Sequence, residues 1–203
     1  MLEVKVFKIV NTPTRGGIIF GGDEAYVDSW PRNPEGQDLT LMFTLECTVL
    51  KEKLQRNDLP SHGVLHVFST YDPEEYFLDL ITYDQVSQKK DSPSYTFAVH
   101  SKSQKICKSP CASIPLQYAD LIEETIDEGE ISVASLFADY APIGAMVPKN
   151  IERHYNFLCQ IYSSDFPSPY ENAFYLTGGV GYLLINKNLG DEKADGCFFV
   201  QVA

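Results

Sequence analysis

Met42-Phe43-Thr44-Leu45-Glu46-Cys47, a charged connection, the turn Leu59-Pro60-Ser61-His62-Gly63 and then Val64-Leu65-His66-Val67-Phe68 carry the reading of the fold. Apolar and polar residues alternate from Leu39 to Leu50, which puts Leu41, Phe43, Leu45 and Cys47 on one face of a strand. Lys51 to Asp58 reads as a connection holding a single helical turn, and the Pro and Gly of the next five residues turn the chain into a second strand, Val64 to Thr70. The pattern returns later in the chain. Asn156-Phe157-Leu158-Cys159-Gln160-Ile161 is followed by a loop and by Gly181-Tyr182-Leu183-Leu184-Ile185-Asn186. Each half holds a strand, an insertion, a glycine and another apolar strand. The expectation is a single compact domain over 1–203, built as two weakly related β units in halves 1–111 and 112–203.

Outward from these pairs, Val4, Val6 and Ile9 read as an opening strand and Ile18 to Phe20 as a short one. Tyr76 to Tyr83, Tyr95 to His100 and Cys197 to Val202 read as further strands, with a polar excursion over Gln85 to Pro93. Pro115 to Asp127 reads as a helix, because Leu116, Ala119, Ile122 and Ile126 fall near one helical face and Gly129 follows. Ser132 is placed to cap a second helix through Tyr140. The fold class expected is therefore α+β: antiparallel sheets from two β units with helices between them.

Composition narrows the function. The chain has 203 residues, enough to bury about 70% of its unfolded surface without disulfide staples. It carries 28 acidic and 16 basic residues, a net charge of −12. Nucleic acid and anionic membranes both demand a surplus of Lys and Arg, so neither is expected as a partner. The basic residues Lys102, Lys105 and Lys108 form the single cluster that stands out. The five cysteines are odd in number, and Cys47, Cys159 and Cys197 sit in apolar runs as reduced thiols do. Lys5 and Lys8 interrupt any signal-peptide core at the start, and no apolar run nears the roughly 18 residues of a membrane span. A cytoplasmic location is expected.

No catalytic constellation assembles. On a strand, His62 and His66 at i, i+4 would point to one face as metal ligands do, but no further ligand completes a set nearby, and the leading reading has His62 in a turn and His66 packed on a sheet. Cys107 and Cys111 form a loose pair beside Lys102 and Lys105, without the second pair a zinc site needs. Thr177-Gly178-Gly179-Val180-Gly181 precedes a strand rather than a helix and has no Lys until Lys187, so it reads as a turn and not a phosphate loop. There is no Gly-x-Ser-x-Gly elbow. No cofactor, metal or catalytic residue is expected. What remains are acidic clusters. Glu123, Glu124, Asp127, Glu128 and Glu130 crowd the end of the expected helix, where they oppose its macrodipole. Asp72, Glu74 and Glu75 form another group.

Gly21-Gly22, Trp30-Pro31, Leu39-Thr40-Leu41-Met42-Phe43 and Leu59-Pro60-Ser61-His62-Gly63-Val64-Leu65-His66-Val67-Phe68 occur in that order. Later come Phe157-Leu158-Cys159-Gln160-Ile161, Ser164-Asp165 and Gly179-Val180-Gly181-Tyr182-Leu183-Leu184-Ile185, with Gln201 near the end. This succession resembles the YwqG-like family of bacterial domains across most of residues 16 to 203. Ile143-Gly144-Ala145 stands where that family has a histidine-containing segment, and Tyr175-Leu176-Thr177 where it has a tryptophan. The resemblance implies an α+β fold with antiparallel sheets and no catalytic residues. Such domains are often found beside secreted polymorphic toxins, which allows an immunity role. Together with the charge, the expectation is a non-enzymatic protein-binding protein. It would be a toxin-neutralising immunity protein that occludes a basic effector domain, with the two acidic clusters as its contact. The alternative is an enzyme or small-ligand binder using a cleft between the halves, around Trp30 and the histidines.

Overall fold

The computed structural model describes residues 1–13, 15–83, 95–127, 133–147, 149–188 and 194–202. The expected excursion over Gln85 to Pro93, Gly129, Ser132, Glu128 and Glu130 lie outside the described residues.

The strands are β1 (Leu2–Val10), β2 (Ile18–Phe20), β3 (Glu24–Tyr26), β4 (Thr40–Glu46), β5 (Val64–Ser69), β6 (Thr96–Ser101), β7 (Ile106–Lys108), β8 (Gln117–Ile126), β9 (Leu136–Phe137), β10 (Tyr155–Tyr162), β11 (Val180–Asn186) and β12 (Ala194–Gln201). Among the described residues three short α-helices join them, α1 (Cys47–Leu54), α2 (Leu78–Ile81) and α3 (Lys149–Glu152), with a 3-10 turn at Ser163–Asp165. Ten strands close into one antiparallel barrel in the order β1-β8-β2-β4-β5-β6-β12-β11-β10-β9, and β3 with β7 forms a separate ribbon.

The α+β expectation is thereby corrected: the regular structure of the described residues is mostly strand, closed into a barrel, with only short helices. The expected helix over 115–127 is strand β8. Its apolar residues do recur at helical spacing, but β8 pairs with β1 on one side and β2 on the other. Those ladders override the helix preference of its Ala, Leu and Glu residues. The expected helix before Tyr140 is the short strand β9, wedged between β1 and β10. In the other direction, the expected strand Tyr76 to Tyr83 holds α2, because Phe77 and Ile81, four residues apart, both dip into the core. Strand β4 ends at Glu46, so Cys47 opens α1 rather than sharing a strand face.

The pairing has a two-fold relationship. Exchanging β1 with β8, β2 with β9, β4 with β10, β5 with β11 and β6 with β12 leaves the barrel order unchanged. The registers follow it in detail. Both β4 and β10 carry an irregularity, between Leu41 and Phe43 and between Phe157 and Cys159. After each, the chain enters a helical turn whose first N–H reaches the glycine before the partner strand: Cys47 to Gly63 O at 3.1 Å, and Ser163 to Gly179 O at 2.9 Å.

The barrel is filled rather than hollow. Phe43 meets Phe198 with ring centroids 5.8 Å apart, Phe198 meets Phe174 at 5.5 Å, and Phe174 meets Phe166 at 5.2 Å. Two outer faces are also covered. Ala138, Ala141, Ala145, Val147 and Ile151 pack on β10–β12, and the β3–β7 ribbon with Trp30 lies on Leu41 and Phe68. One mouth, at the ends of β4, β5 and β11 marked by Glu46, Val64 and Asn186, is closed by Leu50, Leu54 and Leu59; we call it the α1 mouth. The opposite mouth is closed by Tyr71, Phe77, Phe166, Tyr170 and Tyr175, and we call it the tyrosine mouth. Among the described residues no helix is long and apolar enough to cross a membrane.

Candidate functional site

The inner face of the barrel changes character where β1 and β8 reach the α1 mouth. Phe7 and Ile9 on β1 and Ala119 and Leu121 on β8 point into the apolar interior. Two residues further along the same faces stand Lys5 and Glu123, which are directly opposite in register, and then Glu3 and Thr125. The Lys5 ammonium donates to the Glu123 carboxylate, which holds Glu123 below the usual carboxylate range. These residues, with Glu124, Asp139, Leu54, Arg56 and Phe137, line a groove of about 460 Å³.

Arg56 forms the floor. The left-handed backbone of Gln55 (φ 53°) ends α1 and turns the chain toward the mouth. The guanidinium donates to both carboxylate oxygens of Asp58, from Nε at 2.9 Å and from NH2 at 2.6 Å. It also donates to Ala138 O at 3.1 Å and Phe157 O at 2.9 Å, so it clamps the loop after α1 to β9 and β10. Burial pushes the Asp58 carboxyl up, but the hydrogen bonds and charge of Arg56 and the amide of Asn156 outweigh it and hold it below its ordinary value.

The two-fold relationship provides an internal control on these charges. Matching the strands places Gln117 where Lys5 stands, and counting on along the same strands and loops gives five more matches. Pro115 matches Glu3, Asn11 matches Glu123, Thr12 matches Glu124, Asn172 matches Arg56 and Gly22 matches Asp139. Every ionisable residue of the groove has an uncharged counterpart at the tyrosine mouth. The barrel geometry therefore does not require charge at these positions.

The acidic residues singled out from sequence are split. Glu123 and Glu124 line the groove and Asp127 lies exposed just past β8. They stand on a strand, so the expected conflict with a helix macrodipole does not exist. Asp72, Glu74 and Glu75 follow β5 at the opposite mouth, where Asp72 Oδ1 accepts the N–H groups of Glu74 at 2.9 Å and Glu75 at 3.2 Å. The two clusters do not form one surface. Glu3, Lys5, Arg56 and Asp139 come from three separate segments and meet only because the barrel closes.

The other candidate residues scatter. His66 is buried; Tyr26 donates its N–H to Nε2 at 3.0 Å, so Nδ1 carries the proton and donates to Thr44 Oγ1 at 2.8 Å. Burial lowers its pKa to about 4. His62 sits in the exposed turn before β5, not beside His66 on a strand. Among the described residues no group of three or more His, Cys, Asp or Glu is placed to hold a metal ion. Cys107 donates to Val27 O at 3.1 Å, while Cys111 lies 3.6 Å from Leu39 O. Trp30 donates its indole N–H to Leu39 O at 2.6 Å and borders a second groove with Arg32, Asp38 and Lys108 on the outer face of the first half. Arg32 is paired with Asp38 at 2.8 Å and Lys108 with Glu24 at 3.6 Å.

No protein-family model matches the chain, and no curated protein matches it. The likeness to the YwqG-like domains thus stands on the motif succession alone.

Proposed function

We propose that the chain is a non-catalytic binding protein that receives the basic face of a partner protein across the α1-mouth groove. The observation that carries this reading is the internal control: four carboxylates, Glu3, Glu123, Glu124 and Asp139, rim a groove, and the positions that match them by register and count at the opposite mouth are uncharged. Arg56 is held by Asp58 and the two carbonyls, and Lys5 by Glu123. A Lys or Arg from the partner meets Glu3, Glu124 and Asp139 and competes with Lys5 for Glu123. The net charge of −12 attracts a basic partner over distance and speeds encounter. No His or Cys lines the groove among the described residues, which favours binding over nucleophilic chemistry.

The finer reading is an immunity protein that neutralises a toxin by covering its basic effector domain, and the YwqG-like motif succession supports it. Co-expression with the product of the neighbouring gene, followed by pull-down, tests both levels. A stable complex that relieves toxicity is expected. Absence of a complex together with unrelieved toxicity would overturn the proposal.

A further inference from the structure

The tyrosine mouth presents aromatic and apolar side chains to solvent. Tyr76 is 55% exposed, Leu176 45% and Leu80 40%. Tyr76 is not a loose side chain. Its ring meets Tyr175 edge-on at 4.9 Å, Tyr175 meets Phe77 at 5.5 Å, Phe77 meets Tyr71 at 5.9 Å and Tyr71 meets Tyr170 at 5.7 Å. Its hydroxyl donates to Asp79 Oδ1 at 2.8 Å. The surface tyrosine is thus the outer end of an aromatic array rooted in the barrel plug, and little rotamer freedom is left to lose on binding.

Among the described residues the charge on the segments that build this mouth is of one sign: Asp72, Glu74, Glu75, Asp79 and Glu171 lie on them, and neither 70–83 nor 163–179 contains a Lys or Arg. A fixed aromatic surface bordered by carboxylates, with no cation among the described residues of these segments, complements one chemistry: an arginine- or lysine-bearing segment. Its cation stacks on the Tyr76 ring and its neighbours meet the carboxylates.

We infer that the tyrosine mouth is a second docking face, for an extended arginine-containing segment of a partner protein, set at the opposite end of the barrel from the α1-mouth groove. The inference rests on the reading of the chain as a binder of basic protein, but it uses a different surface.

The test is an NMR titration of the isotope-labelled full chain with a short peptide of alternating glycine and arginine, and with its glutamate counterpart. Shifts on the arginine peptide should centre on Tyr76, Leu80, Tyr175 and Leu176, and the glutamate peptide should produce none. Tyr76→Ser should weaken the binding read at Leu80, Tyr175 and Leu176 about fivefold, and Tyr76→Phe should retain it. Shifts confined to the α1 mouth, shifts spread evenly over all carboxylates, or indifference to Tyr76→Ser would each overturn the inference. The α1-mouth proposal is judged separately, on the complex with the neighbouring gene product.

Discussion

His66 and Tyr26 join the outer ribbon to the barrel: the imidazole Nε2 accepts the Tyr26 N–H at 3.0 Å, and the two rings stack 6.3 Å apart. The bond needs a neutral imidazole, because a protonated ring has no acceptor to offer. Burial holds the folded pKa near 4 against an ordinary 6.5. Between those values the unfolded chain binds more protons than the folded one, so folding stability falls as pH drops from 6.5 toward 4 and levels below that. The loss attributable to His66 is about 3 kcal/mol. Urea midpoints of wild type and His66→Gln, compared from pH 7.5 to 4, should converge as pH falls, and parallel curves would refute the assignment.

Arg56 should be the most sensitive charged residue in the fold. Its side chain is 10% exposed, and its removal takes the guanidinium donor from two carbonyls and leaves Asp58 with the Asn156 amide at 3.2 Å. Arg56→Ala is expected to cost about 3 kcal/mol in chemical denaturation, and Arg56→Lys to recover only a minor part, since an ammonium cannot span both oxygens of Asp58 and both carbonyls.

Gly181 tests the filled interior. A Cβ there would lie 2.4 Å from the Phe198 ring and 3.0 Å from Phe174. Gly181→Ala should destabilise by about 1–3 kcal/mol, whereas Gly178→Ala, with open space around it, should lie within about 0.5 kcal/mol of wild type. Thermal melts of the two variants distinguish a packed barrel from a hollow one.

The thiols should fall into two classes. Burial pushes Cys47 and Cys197 up to about 12 and Cys159 higher still, while Cys107 and Cys111 are partly exposed. Alkylation of the native protein at pH 8, read by mass spectrometry, should mark Cys107 and Cys111 first and the other three only after unfolding.

The strand pairs β4–β5 and β10–β11 were legible in the sequence because alternation and a leading glycine are local signals. The misread segments share one cause. In β8 the spacing of Ala119, Ile122 and Ile126 fits a helix equally well, and only pairing with β1 and β2 selects the strand. In α2 the preference of Tyr76 and Phe77 for strands yields to burial of Phe77 and Ile81 in the plug. The groove was half legible. Glu123 and Glu124 stood out as a cluster, though for a helix-end argument that does not apply. Glu3, Lys5, Arg56 and Asp139 carried no signal, because register and barrel closure bring them together, and neither is a local property of the chain.

The central proposal is tested most directly by calorimetric titration of the full chain with the neighbouring gene product, comparing wild type with Glu123→Lys combined with Glu124→Lys. Both positions are exposed on β8, and the reversal at Glu123 sets an ammonium opposite Lys5, so the melting temperature should drop modestly while the fold holds. A groove that receives a basic face predicts at least about a tenfold loss of affinity on this reversal and a steep weakening of the wild-type complex with salt. Equal affinities for the two proteins, with the fold intact, would contradict it.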